Sequence, residues 1–183
     1  MNPEIPISGL TLILGGARSG KSSFAEKIAR ESGKPVLYIA TAAAGDQEMA
    51  ERIRNHRASR PPQWQTLELT HDLGRNIAAP AAPVVMVDCI TLLASNILLS
   101  LPENTPAAVV MNKLEVEINE LIAAQKRCGG QWLLVSNEVG LGLVPPYPLG
   151  RVYRDALGWA NQALAREASR VILMVAGIPV VIK

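Results

Sequence analysis

The chain has 183 residues, 49% of them hydrophobic, which fits a single domain over 1–183 with one sizeable core. A net charge of +2, with Lys and Arg scattered among Asp and Glu, gives no basic stripe to follow a nucleic-acid backbone, and 4% aromatic content argues against a base-stacking binder. Two cysteines without metal-ligand or disulfide spacing, and no apolar run near the roughly 18 residues that span a bilayer, predict a soluble cytoplasmic protein with no membrane or nucleic-acid partner.

The first residues, 1–8, read as a loose lead without the pattern of a signal peptide. Leu10–Leu14 then reads as a buried strand and Ser22–Arg30 as a helix. Between them stands Gly15-Gly16-Ala17-Arg18-Ser19-Gly20-Lys21-Ser22, a Gly-x4-Gly-Lys-Ser sequence in the strand–loop–helix setting that a phosphate-binding loop requires. Small residues there let backbone N–H groups point at phosphate oxygens, and the helix N-terminus adds partial positive charge. Lys21 would reach the β- and γ-phosphates, and the Ser22 hydroxyl would ligate Mg²⁺.

Gly33-Lys34-Pro35 ends the first helix and Val36–Ala40 forms a second strand ending at Thr41. A charged helix is expected from Asp46 to about Ser59, stopped by Pro61-Pro62. On it Arg52, His56 and Arg60 fall at i, i+4 and i+8, with Arg57 adjacent. Neighbouring positive charge disfavours the imidazolium, so His56 would stay neutral and nucleophilic towards an α-phosphate. Taken alone, a histidine on a charged helix is usually a solvated side chain, and without further context that reading of His56 would win. Trp64–Leu69 reads as a short strand, and Thr70 as the cap of a helix running to Ile77, which Gly74 weakens. His71 is expected in the first turn of that helix with no chemical role.

Val84–Val87 is a buried strand that ends on Asp88, where a carboxylate needs a partner. Mg²⁺ brought by the nucleotide is one, and capping of the helix beginning at Ile90 is another. Helices are expected over Ile90–Leu99 and from Pro106 to about Lys126, the second with Val110, Leu114, Ile118, Leu121 and Ile122 on one stripe. Trp132–Val135 is a further strand, and the loop Asn137–Pro148 is long enough to suggest a substrate or nucleotide contact from Asn137 or Glu138 rather than a plain crossover. A helix over Leu149–Ala168 and strands Val171–Val175 and Val180–Ile182, interrupted at Gly177 and Pro179, complete the chain. This alternation is the mark of an α/β fold with a mostly parallel sheet and helices on both faces, in which Gly15, Thr41, Asp88 and Ser136 converge at the carboxyl ends of the strands.

The ordered set of motifs resembles the bifunctional adenosylcobinamide kinase/adenosylcobinamide-phosphate guanylyltransferases. It comprises Gly15–Ser22, Tyr38–Thr41, Glu48–His56 leading into Arg60-Pro61, Val87–Thr91, Asn96, Ser136–Pro145, Arg154-Asp155 with Gly158 and Asn161, and Gly177-Ile178-Pro179. The resemblance implies a RecA-like P-loop fold, a homotrimer, and two activities. One is phosphorylation of the aminopropanol hydroxyl of adenosylcobinamide by ATP or GTP; the other is transfer of GMP from GTP to that phosphate through a GMP-histidine at His56. It also implies nucleotide contacts from Gly15–Ser22, from Thr41, Ala42 and Ala43, from Arg57, Ala58, Ser59 and Arg60, and from Glu68 and Asp88. It implies none for the corrinoid. Asn55 before His56 and the longer lead depart from the family's pattern without removing a motif. A P-loop kinase lacking guanylyl transfer, and a RecA-like nucleotide switch or ATPase, are the competing readings.

Overall fold

A computed structural model describes residues 8–42 and 60–183. The charged helix expected over 46–59, with His56, lies outside these residues, as does the lead up to residue 7. Seven strands form one sheet: β1 (Gly9–Gly15), β2 (Val36–Ala40), β3 (Gln65–Glu68), β4 (Val84–Asp88), β5 (Gln131–Val135), β6 (Arg170–Val175) and β7 (Ile178–Val181). Their order is β3-β2-β4-β5-β1-β6-β7, parallel throughout except for the β6–β7 hairpin. Every residue of β2 and β5 is buried, as their continuous apolar character requires of strands covered on both faces.

The helices are α1 (Lys21–Glu31), α2 (Leu73–Asn76), α3 (Ile90–Leu99), α4 (Ala107–Cys128) and α5 (Pro148–Glu167). Ala25, Ile28 and Ala29 of α1 pack with Ile13, Tyr38, Met86 and Leu133 on one face of the sheet. On the other face α3, α4 and α5 bury Leu93, Ile118 and Leu157 against Leu12, Val87 and Leu134. The expected α4 stripe, Val110, Leu114, Ile118, Leu121 and Ile122, is buried.

Two expectations are corrected. The helix expected from Thr70 to Ile77 is one turn, α2, because the N–H groups of Asp72 and Leu73 turn to the Glu117 carboxylate at 2.8 and 2.7 Å and the chain is extended again by Ile77. Thr70 therefore caps nothing, and His71 precedes the helix. At the other end of α2, Arg127 donates to the carbonyls of Gly74 and Ile77 at 3.0 and 3.2 Å, so α4 supplies an anion and a cation to the matching ends of a turn too short to hold itself. Pro179, expected to break the sequence of strands, lies inside β7, an edge strand where a missing N–H is tolerated.

Candidate nucleotide site

The carboxyl ends of four adjacent strands meet at the phosphate loop. Ala40 is in register with both Glu68 and Asp88, and Asp88 with Val135, so β3, β2, β4 and β5 end in one row beside β1. After β1 the chain turns through Gly16–Ser19 and enters α1 from Gly20, whose φ of 93° is open to glycine and strained for other residues. The first turn of α1 carries no acidic side chain and no side-chain cap. Its N–H groups are thus left to an anion. Ala17 and Arg18 are exposed on the outer curve of the loop.

Lys21 is buried, and its Nζ donates to the Gly16 carbonyl at 2.6 Å, folding the ammonium back over the loop. Burial lowers its pKa from 10.5, while Cys89 and Asp88 oppose the shift. An ammonium held on a neutral carbonyl is ready to exchange that contact for phosphate oxygen. The Ser19 hydroxyl is buried with no hydrogen-bond partner, a second unused polar group in the same loop.

The α1 helix carries Ser22 past the end of β5 to Asp88, where Ser22 Oγ donates to Oδ1 at 3.2 Å. The other carboxylate oxygen, Oδ2, accepts the Tyr38 hydroxyl at 2.7 Å. Tyr38 is fully buried, and burial, followed by the charge of Asp88, pushes its phenol far above the ordinary range. Asp88 does not cap α3, which has no side-chain cap. The Arg60 guanidinium lies 3.6 Å from the Tyr38 ring centre, the Trp64 ring stacks with Tyr38 with centroids 6.4 Å apart, and Arg60 Nε is buried without a hydrogen-bond partner. A cation with an unused donor is thereby packed against the residue that holds Asp88.

Thr41 uses its hydroxyl twice on Cys89, donating to the carbonyl and accepting from the N–H, each at 2.7 Å. It ties the ends of β2 and β4 together and has no donor left for phosphate. Ala42 follows it, half-buried, while Glu68 is exposed at the end of β3. Ala43, Arg57, Ala58 and Ser59 lie with His56 outside the described residues.

Sequence reasoning missed three supports. Tyr38 was legible as a polar tip inside an apolar strand, which needs a partner when buried. Asn96 donates to the Thr41 carbonyl at 2.8 Å, and Gly177 N–H in the β6–β7 turn donates to the Ser19 carbonyl at 3.1 Å. No local pattern announces either contact.

Among the described residues no group of three or more His, Cys, Asp or Glu side chains could hold a metal. The hard oxygens of Ser22 and Asp88, side by side, are of the kind that would hold Mg²⁺.

Residues 11–182 match the family described as cobinamide kinase / cobinamide phosphate guanyltransferase. The chain belongs to that family. Its relatives include the bifunctional adenosylcobalamin biosynthesis protein CobP of Pseudomonas aeruginosa, 47% identical over 94% of this chain and 96% of the relative. The CobU proteins of Salmonella typhimurium and Escherichia coli are 43% and 42% identical, each over 95% of this chain and 99% of the relative. Solved structures similar in fold are the flagellar accessory protein FlaH of Methanocaldococcus jannaschii and the type III secretion ATPase EscN of enteropathogenic E. coli. FlaH has a TM-score of 0.51 and 14% identity, covering 100% of this chain and 81% of FlaH. EscN has a TM-score of 0.54 and 12% identity, covering 93% of this chain and 43% of EscN. At those identities the likeness concerns the P-loop α/β fold alone. No helix among the described residues of this cobinamide kinase/guanyltransferase family member is long and apolar enough to cross a membrane.

Proposed function

We propose that this protein phosphorylates adenosylcobinamide and then transfers GMP to the product. In the first step the aminopropanol hydroxyl oxygen bonds to the γ-phosphorus of ATP or GTP and gives up its proton to water, the bond to the bridging oxygen breaks, and a nucleoside diphosphate leaves. In the second a His56 ring nitrogen bonds to the α-phosphorus of GTP as pyrophosphate leaves. The corrinoid phosphate oxygen then attacks that phosphorus, breaks the P–N bond and yields adenosylcobinamide-GDP.

The observation that carries the nucleotide half of this reading is the contact of Ser22 with Asp88 at the mouth of a loop whose lysine rests on a neutral carbonyl. Gly15–Ser22 would cradle the phosphates with Lys21, and Arg60 would turn its free donor to them. Ser22 and Asp88 would hold Mg²⁺, which when bound neutralises phosphate charge. Thr41, Ala42, Ala43, Arg57, Ala58, Ser59 and Glu68 are proposed nucleotide contacts on family resemblance, and a homotrimer is the proposed assembly. Light scattering tests that assembly against the 19.6 kDa chain.

The deciding experiment incubates the protein with Mg²⁺ and GTP labelled at the α-phosphate, then denatures it. Covalent label that is acid-labile and alkali-stable, and absent from His56→Ala, is expected. Label retained by that variant rules out His56 as the nucleophile, and no label on a protein that binds GTP rules out guanylyl transfer through a histidine.

A further inference from the structure

Asn161 is 5% exposed, and although its Nδ2 donates to the Asn137 carbonyl at 3.0 Å, its buried Oδ1 has no hydrogen-bond partner. A buried polar atom left unsatisfied is costly and calls for an explanation. Asn161 lines a cleft of about 470 Å³ between the loop after β5 and helix α5, together with Leu14, Glu138, Arg154, Asp155 and Gly158. The cleft borders the phosphate loop, because Glu138 N–H donates to the Gly15 carbonyl at 3.0 Å. Arg154, Gly158 and Asn161 stand at i, i+4 and i+7 on one face of α5. With Asp155 they form the part of the sequence pattern to which no role attaches.

The chemistry of the cleft is that of an acceptor surface. Asn161 Oδ1 is unpaired, and among the described residues neither Glu138 nor Asp155 forms an ion pair; Glu138 accepts only the Gly140 N–H at 2.8 Å. The one cationic side chain, Arg154, is directed to the Gly140 carbonyl at 3.3 Å. Two carboxylates and a free carbonyl oxygen repel a triphosphate and attract hydroxyl and amide N–H donors. Trp159 adds an apolar wall, and the loop continues from Gly140 into Leu141 and Leu143, which are 85% and 96% exposed.

We propose that this cleft receives the edge of the corrinoid acceptor that bears the aminopropanol hydroxyl and neighbouring primary amides. This rests on the cobinamide reading above and assigns the acceptor to the α5 face of the phosphate loop. Asn161 Oδ1, Glu138 and Asp155 accept from the ligand's donors, while the corrin ring, too large for the cleft, lies over the leucine-bearing loop.

Gly158 provides the test. A Cβ there meets nothing within 4 Å, so Gly158→Leu grows into the cleft while replacing a poor helix former with a good one. Equilibrium dialysis of the full chain against adenosylcobinamide, followed by corrin absorbance, is run beside GTP binding. Gly158→Leu is expected to weaken adenosylcobinamide by roughly tenfold or more and GTP by less than about twofold, and Glu138→Gln, which keeps size and removes charge, to weaken adenosylcobinamide severalfold. Wild-type protein that binds adenosylcobinamide, with Gly158→Leu binding it equally, overturns the cleft and leaves the function standing. Wild-type protein that binds GTP but no adenosylcobinamide overturns the function itself. Should Gly158→Leu fail to fold, unchanged binding by Glu138→Gln overturns the cleft.

Discussion

The Tyr38 hydroxyl meets Asp88 Oδ2 at 2.7 Å from inside the sheet, so the carboxylate at the end of β4 is held by a residue that no solvent reaches. With Ser22 on the opposite oxygen, the orientation of Asp88 is set from two sides before any nucleotide arrives. Tyr38→Phe removes one oxygen atom and leaves the ring stack with Trp64. A hydrogen bond to a charged group is worth about 1.5–3 kcal/mol, so denaturant unfolding should show a loss of that order. Mn²⁺ titrated as a spin probe in the presence of GTP should bind several-fold more weakly, and unaltered Mn²⁺ binding would mean that the phenol stabilises the sheet without positioning Asp88.

Lys21 is the cation whose contact is most easily exchanged. Its partner is a neutral carbonyl rather than a carboxylate, so truncation breaks no ion pair and leaves no unpaired acid. Lys21→Ala is expected to retain the melting temperature within a few degrees and to lose about 10- to 100-fold in GTP affinity, the equivalent of one charge-assisted hydrogen bond. Isothermal titration reads both donors, ATP and GTP, and equal affinity in variant and wild type removes the lysine from phosphate binding.

Gly74 sits against the backbone of α4, and a Cβ there would overlap Glu120 O and C and lie 2.8 Å from Leu121 N. The sequence makes this glycine look like a weakness in a helix. In the fold it is the residue that lets α2 touch α4. Gly74→Ala, favourable by helix propensity, should therefore destabilise by about 1–3 kcal/mol through overpacking, with nucleotide binding by the folded fraction unchanged. A stabilised variant would show that α2 can move away from α4 freely.

Glu117 gives the fold a pH dependence. Burial raises its carboxyl above 4.5, opposed by the N–H groups of Leu73 and Asp72 and reinforced by the charges of Asp72 and Glu120. A carboxyl raised in the folded state contributes stability that is complete below the unfolded pKa and is lost as pH rises through the folded one. The difference in melting temperature between wild type and Glu117→Gln should accordingly narrow from pH 4 towards pH 7. A gap that widens over that range contradicts the direction of the shift.

The strands and the phosphate loop were legible because each is written in a short contiguous stretch. Apolar runs such as Val84–Val87 end at a polar residue, and glycine and lysine spacing specifies the turn after β1. Even the boundaries of α3 follow from its apolar block. What could not be read depends on residues far apart. The single turn of α2 is set by Glu117 and Arg127 on α4, the hold on Asp88 by Tyr38 on another strand, and the acceptor surface at Asn161 by a loop two dozen residues earlier. Local propensity carries no information about such partners, whereas a buried phenol or amide does announce that one must exist.

The Gly177 N–H that supports the Ser19 carbonyl comes from a turn 158 residues further along the chain, and β1 pairs with β5 and β6 rather than with β2. On the ribosome, the phosphate loop therefore emerges early and waits for both of its neighbouring strands and its buttress to be synthesised. Nucleotide binding should arise late and abruptly during translation, when β5, β6 and the turn have cleared the exit tunnel, rather than growing with chain length.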